Sequence, residues 1–248
     1  MADGFVILVI GATLGGLVQG LSGSNFGMTS TAVWAWFLAP QVVAPLALTG
    51  SLTGQILGAL TLRRGWHWRR IAPFLLGGLL GIPLGVALLP RLDTDLFKLV
   101  LGSLLVLTCP ALLLASELPR VRVGGRIADS LAGLGGGILG GLGGYTGVIP
   151  TLWTTLRGLP KDEQRAIIQN FNLGIQLVTF GAYLWQGLIT RALLPQLALL
   201  IPVVLLTSWF GTRLYLGLSE TRFRQLVLLL LTAAGVAMLA AALPRLLA

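Results

Sequence analysis

Long apolar runs recur along this 248-residue chain and restrict the folds it can adopt. They cover residues 42–62, 71–90, 96–116, 166–187, 192–216 and 223–243. Each run is close to the roughly 20 residues that a helix needs to cross the hydrocarbon core of a bilayer. The runs are rich in Leu, Gly and Ala and do not alternate polar with apolar residues, which disfavours a membrane β-barrel. We therefore predict an all-α polytopic membrane protein.

The charged residues support this prediction by their scarcity and by their positions. Only 10% of the residues are Asp, Glu, Lys or Arg, whereas a soluble domain contains about 25%. The net charge of +9 comes from Lys and Arg in short segments between the apolar runs, as membrane orientation requires. Because no polar domain remains to bind a duplex, we expect the lipid bilayer as a partner and no nucleic acid.

Two glycine-rich stretches of the chain, residues 11–34 and 131–154, repeat each other at an offset of 120 residues. The identical pairs are Ala12/Ala132, Leu14/Leu134, Gly15/Gly135, Gly16/Gly136, Gly20/Gly140, Gly23/Gly143, Gly27/Gly147 and Thr31/Thr151. Internal repeats that carry a glycine-broken apolar segment are typical of transporters, with the break at the binding site. We therefore divide the chain into a first repeat (1–118), a cytoplasmic linker (119–126) and a second repeat (127–248).

The segments 5–38 and 127–156 allow two arrangements, which the basic residues distinguish. Each segment is either one long span, giving eight single transmembrane helices in all, or a re-entrant hairpin that turns at its glycines. Single spans would place nine of the 17 Lys and Arg residues on the cytoplasmic side and eight outside. Hairpins would place thirteen on the cytoplasmic side, and the four outside would be Arg91, Lys98, Arg191 and Arg245. Because cytoplasmic segments are enriched in Lys and Arg, we favour the hairpins.

Two hairpins that enter the membrane from opposite sides would make the halves an inverted repeat. Each half would then contain three spanning helices and one hairpin, and the two glycine-rich tips would meet near the middle of the bilayer. This arrangement predicts alternating access to a site between the tips.

The hairpin turns are expected at LSGSNFGM (21–28) and LGGYTGVIP (142–150). Backbone that leaves a helix at membrane depth must be buried in protein or line a watery cavity, and a helix that restarts there presents N–H groups that favour an anion. The candidate substrate-binding residues of the tips are Ser22, Gly23, Ser24, Asn25, Gly27, Gly143, Gly144, Tyr145, Thr146 and Gly147. The alternative is that the glycines only pack helices, because Gly136, Gly140 and Gly144 have GxxxG spacing.

Polar side chains follow each tip within the next apolar run. In the second half they are Gln169, Asn172 and Gln176, on one helical face at i, i+3 and i+7, with Asn170 beside them. In the first half they are Thr49, Ser51, Thr53 and Gln55. Such groups face the interior of a helix bundle, where they either line a substrate pathway or hydrogen-bond between helices. All of them except Gln55 and Gln169 are candidate substrate-binding residues.

The remaining charged residues and motifs argue against several functions. The eight acidic residues lie in or near predicted loops, which does not support a proton relay or a cation pump. Arg213 lies within an apolar run, where it either steers an anion or snorkels to the interface. His67, between Trp66 and Trp68, indicates an interfacial anchor and not a metal site. Because HExxH and GxSxG motifs are absent, we expect no metal, no cofactor and no enzymatic activity.

The two glycine-rich segments resemble the signature of the TauE/SafE sulfite exporter family, in the superfamily of the 4-toluene sulfonate uptake permease type. The resemblance rests on GGLVQGLSGSNFG and GGGILGGLGGYTGVIP, on Pro40 and Pro160 after them, and on GTR and SETRFRQLVLLLL between Gly211 and Leu231. It spans essentially the whole chain. The family is associated with small sulfur-containing anions such as sulfite, thiosulfate, sulfoacetate and other organosulfonates. The resemblance therefore implies an anion transporter of the bacterial inner (cytoplasmic) membrane.

Together these observations predict a secondary carrier for a small anionic substrate. The first tip has Ser24 and Asn25 where the second has Gly144 and Tyr145, which suggests that an asymmetric substrate meets different groups in the two halves. The alternatives are a passive anion channel and a non-transporting structural membrane protein. The sequence indicates neither a coupling ion (H⁺ or Na⁺) nor an oligomeric state.

Overall fold

The computed structural model describes residues 2–61, 68–114, 120–121, 123–213 and 220–247. Within these ranges the chain forms helices and no strand. The helices are α1 (Ala2–Ser22), α2 (Phe26–Trp34), α3 (Pro40–Thr61), α4 (Trp68–Leu88), α5 (Thr94–Leu114), α6 (Gly125–Gly143), α7 (Val148–Leu156), α8 (Lys161–Trp185), α9 (Leu194–Arg213) and α10 (Glu220–Leu247). Short 3₁₀ turns at Leu89–Arg91 and Arg191–Leu193 follow α4 and precede α9. The prediction of an all-α fold is confirmed.

Six of the described helical stretches are long and apolar enough to cross a membrane. They are Gly4–Ser22, Pro40–Thr61, Trp68–Arg91, Thr94–Leu114, Arg191–Arg213 and Arg222–Leu247. Their outer surfaces carry many large exposed apolar side chains, and contiguous apolar surface of this kind belongs in lipid. The chain is therefore a polytopic helical membrane protein, as predicted.

Helix α8 is not among these six stretches, although we predicted a span over residues 166–187. Its length of 25 residues is sufficient, so its composition is the reason for the difference. Asn172 and Gln176 lower its hydropathy, and both are buried. The polar face of α8 therefore contacts protein and not lipid.

The segment 5–38 forms an antiparallel helical hairpin. Ser30 Oγ on α2 donates a hydrogen bond of 3.0 Å to the carbonyl oxygen of Gly11, and Trp34 Nε1 donates one of 3.1 Å to that of Ile7. Later residues of α2 therefore lie beside earlier residues of α1. The nine residues of α2 span about 14 Å at 1.5 Å per residue, which is too short to cross a bilayer. In contrast, α1 has 21 residues, about 32 Å, which is long enough to cross the hydrocarbon core.

The segment 127–156 forms a second antiparallel hairpin. Trp153 Nε1 on α7 donates a hydrogen bond of 2.7 Å to Asp129 Oδ1 near the start of α6. Nearer the turn, a Cβ atom on Gly135 would lie 2.5 Å from Ile149 Cδ1. Helix α7 also has nine residues, about 14 Å, and is too short to cross a bilayer.

Glycines bring two pairs of helices into close contact. A Cβ atom on Gly81 of α4 would lie 2.3 Å from the carbonyl oxygen of Leu134 on α6. Likewise, a Cβ atom on Gly20 of α1 would lie 2.2 Å from the carbonyl oxygen of Ser208 on α9. Backbones approach this closely only where side chains are absent. Packing therefore accounts for many glycines outside the hairpin turns.

The most extensive helix contacts have counterparts when the two halves are exchanged. In chain order, α1 to α5 correspond to α6 to α10. The contact between α1 and α9 then corresponds to that between α6 and α4, and the contact between α3 and α9 corresponds to that between α8 and α4. The pairs α3–α8 and α5–α10 are their own counterparts, and all these contacts are present.

The basic residues gather at one end of the helix bundle. This end, here called the basic end, is where α3, α5 and α9 finish and α4, α6, α8 and α10 begin. Its described basic residues are Arg69, Arg70, Arg120, Arg126, Arg157, Lys161, Arg165, Arg213, Arg222 and Arg224. At the opposite end Arg245 lies 3.5 Å from Asp95, and the other basic residues there are Arg91, Lys98 and Arg191. This grouping is the one that the hairpin arrangement predicts.

Some sequence-based predictions concern residues that the structure does not describe. His67 and Trp66 lie outside the described ranges, and so do the predicted repeat boundaries at residues 118 and 119. Arg213 is described, and its Cζ atom lies 4.1 Å from the ring centre of Trp209. This stacking at an exposed position favours snorkelling over a role within the bundle.

Candidate functional site

Both hairpins turn through left-handed backbone. The first turn has Gly23 at φ 75° and Asn25 at φ 76°, and Asn25 is the only described non-glycine residue with positive φ. Asparagine tolerates this conformation because its short polar side chain clashes little with the backbone. The second turn uses Gly143 at φ 155° and Gly144 at φ 79°. Both turns lie within the two predicted tip segments.

The two tips contact each other inside the bundle. Tyr145 Oη donates a hydrogen bond of 2.8 Å to Thr31 Oγ1 on α2. A Cβ atom on Gly27 would lie 3.3 Å from Tyr145 Cδ1 and 3.5 Å from the carbonyl oxygen of Gly143. Thr31 and Tyr145 are 0% and 4% exposed, so this junction is closed to solvent.

A small cavity, here called the tip cavity, lies between the two tips and has a volume of about 20 Å³. Its lining comes from α1, α3, α8 and both tips: Gln19, Ser24, Asn25, Gly27, Met28, Ser51, Gln55, Gly144, Tyr145, Thr146, Gly147, Val148, Thr151, Asn172 and Gln176. Every polar side chain in this lining is neutral. The volume is sufficient for about one water molecule.

Amide side chains of α8 hold the second tip in place. Thr146 Oγ1 donates a hydrogen bond of 2.8 Å to Asn172 Oδ1. Gln176 Nε2 donates to Thr146 Oγ1 at 3.1 Å and to the carbonyl oxygen of Gly144 at 3.2 Å. These bonds leave the Asn172 amide nitrogen available to a molecule in the tip cavity.

Two glutamines perform a similar role at the first tip. Gln19 Oε1 on α1 accepts a hydrogen bond of 3.2 Å from the backbone N–H of Phe26. Gln55 Nε2 on α3 donates one of 3.5 Å to the carbonyl oxygen of Gly23. Side chains from neighbouring helices thus replace the backbone bonds that are lost at each turn.

Two polar atoms in the wall of the tip cavity have no hydrogen-bond partner. Ser51 Oγ and Gln176 Oε1 are buried and unpaired, and their residues are only 4% and 2% exposed. A buried polar group without a partner costs about 1–3 kcal/mol. Both atoms are therefore available to hydrogen-bond a ligand between the tips.

The N-termini of α2 and α7 reach the tip cavity. Their N-cap residues, Asn25 and Gly147, make no side-chain capping bond. Asn25, Gly147 and the first residues of each helix line the cavity. In these first turns the N–H groups of Phe26 and Val148 already bond to Gln19 and Tyr145, and Pro150 has none. The partial positive charge of both helix N-termini still favours an anion at this position.

Two larger cavities, here called the vestibule, connect the tip cavity with the basic end. They measure about 140 and 410 Å³ and share Ser22, Gly23, Arg165 and Gln169 in their linings. The first shares Ser24, Asn25, Met28, Val148 and Thr151 with the tip cavity, and the second shares Gln19 and Gln55. Towards the opposite end, the junction of Tyr145 with Thr31 and the buried rings of Phe26 and Trp34 close the path.

Most of the predicted site residues lie together. The tip cavity is lined by Ser24, Asn25, Gly27, Ser51, Gly144, Tyr145, Thr146, Gly147, Asn172 and Gln176. Ser22 and Gly23 line the vestibule instead. The carbonyl oxygen of Gly143 faces Gly27 at the contact between the tips, but Gly143 is not part of the lining.

Besides Gly143, three predicted residues lie outside the lining of both the tip cavity and the vestibule: Thr49, Thr53 and Asn170. Thr49 and Thr53 donate hydrogen bonds of 2.8 Å to the carbonyl oxygens of Pro45 and Thr49 on their own helix. Two residues along a helix correspond to about 200° of rotation, so neither threonine shares the face of Ser51. Asn170 differs from Asn172 for the same reason.

Five residues that line the tip cavity were not predicted from the sequence: Gln19, Met28, Gln55, Val148 and Thr151. For three of these residues the sequence contains a feature that could have identified them. Gln19 is the single amide side chain in the apolar segment before the first tip, Gln55 belongs to the polar stretch that follows it, and Thr151 is identical to Thr31 in the repeat.

A family model described as sulfite exporter TauE/SafE matches residues 7–238 of the chain. The match covers both hairpins, the tip cavity and most of α10. No match was found among curated proteins or among solved structures.

Proposed function

We propose that this chain, which belongs to the sulfite exporter TauE/SafE family, is a secondary carrier for a small sulfur-containing anion such as sulfite, thiosulfate or an organosulfonate. The family is one of membrane transporters, and no enzymatic activity is proposed. The single observation that carries the proposal is the tip cavity, which combines two helix N-termini with neutral hydrogen-bonding side chains.

The chemistry of the tip cavity favours an anion over a cation. No carboxylate lines it, whereas Ser51, Thr151 and Asn172 offer hydroxyl and amide donors. Neutral donors together with helix N-termini stabilise negative charge strongly where water is excluded, since the local dielectric constant is low. The oxygens of a sulfite or sulfonate group accept hydrogen bonds from several directions at once, which matches donors arranged on different walls.

The dimensions of the cavities support a moving site and not a fixed pore. A volume of about 20 Å³ is sufficient for about one water molecule and too small for a sulfur oxyanion. The tips must therefore separate to accept substrate. Because the vestibule opens at the basic end and the opposite path is closed, the described conformation is the one that receives substrate from the basic end.

The junction of Tyr145 with Thr31 serves as one of two related gates. Under the repeat offset of 120 residues, its counterpart is the pair Asn25 and Thr151. These two residues both line the vestibule and the tip cavity, and in the described structure their side chains do not bond to each other. Closing the second pair while opening the first would expose the site to the opposite end, which is alternating access.

The arrangement of the helices supports an inverted repeat of residues 1–118 and 127–248. Exchanging the halves converts the pairs α1–α9 and α3–α9 into α6–α4 and α8–α4, which are also in contact. The excess of Lys and Arg at the basic end supports a cytoplasmic location of that end in a bacterial inner membrane. A passive anion channel remains the second candidate, because no charged side chain that could couple an ion lines the tip cavity.

Ligand-dependent stability of the purified protein tests the proposed substrate class. A ligand that binds only the folded state raises the free energy of unfolding by about 2.7 kcal/mol at 100 times its Kd. We expect sulfite, thiosulfate or ethanesulfonate to raise the Tm saturably, above the effect of chloride at equal ionic strength. If no sulfur anion exceeds chloride, the assigned substrate class is wrong.

A further inference from the structure

A third cavity at the basic end is separate from the transport pathway. This cavity, here called the arginine pocket, has a volume of about 390 Å³ and lies between α4, α6 and the segment from Arg157 into α8. Its charged lining residues are Arg69, Arg70, Arg126, Asp129, Arg157 and Glu163. It shares no lining residue with the tip cavity or the vestibule.

The two acidic residues of the arginine pocket are already paired. Asp129 accepts hydrogen bonds of 2.8 and 2.9 Å from Arg157 Nη1 and one from Trp153 Nε1. Glu163 pairs with Arg70. Two positive charges are therefore left over, one on Arg69 and one on Arg126, neither of which has an acidic partner among the described residues.

The backbone adds to this positive potential. Helices α4, α6 and α8 all begin at the basic end, and Arg69 and Arg126 belong to the first turns of α4 and α6. N-termini of helices carry partial positive charge and favour phosphate groups. Unpaired arginines beside such N-termini provide the bidentate donors that a phosphate requires.

The surroundings of the arginine pocket distinguish a lipid from a soluble phosphate. On α6, directly after Arg126, Ile127 and Leu131 are 76% and 62% exposed. They lie four residues apart and form one apolar face of the helix. On α4, Trp68 is exposed at the helix start, a position typical of aromatic residues at the membrane interface.

From this combination we propose that the arginine pocket binds the headgroup phosphate of an anionic phospholipid of the cytoplasmic leaflet. The phosphate contacts Arg69 and Arg126, and the acyl chains lie along Ile127 and Leu131. A soluble phosphate would use the arginines but not the apolar face. The inference does not depend on which anion the protein transports.

Lipid-dependent stability of the purified full chain tests this site. The probe is phosphatidylglycerol, with phosphatidylcholine as the zwitterionic comparison. The test variant is the double substitution Arg69→Gln/Arg126→Gln, and the control is Arg91→Gln/Arg191→Gln, which makes the same charge change at exposed positions of the opposite end. Because each arginine near an anionic membrane surface changes the affinity about 5-fold, the test variant should bind phosphatidylglycerol about 30-fold more weakly.

The expected result is that phosphatidylglycerol raises the Tm of the wild type and of the control, and that the test variant needs a much higher lipid fraction for the same rise. Native mass spectrometry should show the same loss of bound phosphatidylglycerol in the test variant alone. Equal responses of all three proteins would overturn the proposal. It would also be overturned if glycerol phosphate, which has no acyl chains, stabilised the wild type as well as the lipid does.

Discussion

Ser51 and Thr53 lie two residues apart on α3 but have different surroundings. Ser51 Oγ has no hydrogen-bond partner in the wall of the tip cavity. Thr53 Oγ1 is bound at 2.8 Å to the carbonyl oxygen of Thr49. The two hydroxyls therefore form a matched pair, one available to a ligand and the other used within its own helix.

Replacing Ser51 with Ala should weaken transport without unfolding the protein. The substitution removes a hydroxyl that has no protein partner, so we expect little change in Tm. A hydrogen bond to a charged ligand contributes about 1.5–3 kcal/mol, and the KM for the anion should therefore rise at least about 10-fold. Initial rates of uptake into proteoliposomes, measured against substrate concentration, give this value.

Thr53→Ala is the control for that measurement, because it removes an intrahelical bond outside the site. Its KM should stay within about twofold of the wild type, since the lost bond involves no ligand. Similar KM values for the two variants would mean that Ser51 does not contact the substrate.

At the scale of single residues, the sequence predicted which stretches of α3 and α8 contribute polar side chains to the site. It did not always predict which of these side chains lie on the helix face that lines the tip cavity. Ser51 and Asn172 were predicted together with Thr49, Thr53 and Asn170, yet the rotation of α3 and α8 brings only the first two to the tip cavity. On α8 the i, i+3, i+7 pattern gave the correct face for Asn172 and Gln176. On α3 no such pattern existed, because small polar residues alternate there and the packing of α3 decides its rotation.

At the scale of helices and turns, glycines have two distinct roles, close helix packing and the turns at the tips. The spacing of glycines in the sequence does not tell one role from the other. Gly81 lets α4 approach the backbone of α6, whereas Gly144 adopts a positive φ at a tip. Both belong to glycine-rich apolar segments in the sequence. The positions of the two turns were predictable because both copies of the repeat combine closely spaced glycines with polar residues. The helices α9 and α4 that pack against the hairpins were not predictable, since repeat patterns carry no information about distant contacts.

Gly81→Ala tests the packing role in α4. A Cβ atom there would lie 2.3 Å from the backbone of α6, so the helices must separate, and overpacking of this kind costs about 1–3 kcal/mol. We expect a lower Tm in detergent, measured by intrinsic fluorescence. Gly181→Ala on α8 is the matched control, because its Cβ atom would meet nothing within 4 Å.

Since alanine favours helix more than glycine does, Gly181→Ala should leave the stability unchanged or raise it by up to about 1 kcal/mol. Equal effects of the two substitutions would contradict the close approach of α4 and α6.

Tyr145→Phe tests the gate between the tips. The substitution removes the hydrogen bond to Thr31 but keeps the aromatic ring. Losing about 1 kcal/mol of stabilisation of the closed junction should raise the fraction of molecules whose site is open to the opposite end about fivefold. A reporter cysteine at Ala35, which is buried beside α2 at that end, in a Cys109→Ala background, should be labelled correspondingly faster from outside.

Tyr183→Phe is the control for the gate, because Tyr183 Oη bonds to the carbonyl oxygen of Gly141 within the second half. The reporter should be labelled at the wild-type rate in this variant. If both tyrosine variants accelerate labelling equally, the junction between the tips is not a gate.

At the scale of the whole molecule, the distribution of Lys and Arg in the sequence predicted two re-entrant hairpins. The directions of the helices agree with the distribution that this arrangement requires. Arg91, Lys98, Arg191 and Arg245 lie at one end and the other described basic residues at the basic end. Cysteine labelling tests the orientation: a cysteine at Lys161, exposed at the basic end, should react only from the cytoplasmic side, and one at Arg191 only from outside. The reverse pattern would exclude this orientation.

The measurement that tests the central claim most directly is the flux of radiolabelled sulfite and a few sulfonates in proteoliposomes, with and without an excess of unlabelled substrate on the opposite side. A site that is exposed alternately to the two sides predicts saturable flux that the opposite-side substrate accelerates. Flux that rises linearly with concentration and shows no acceleration would contradict the carrier and favour a channel.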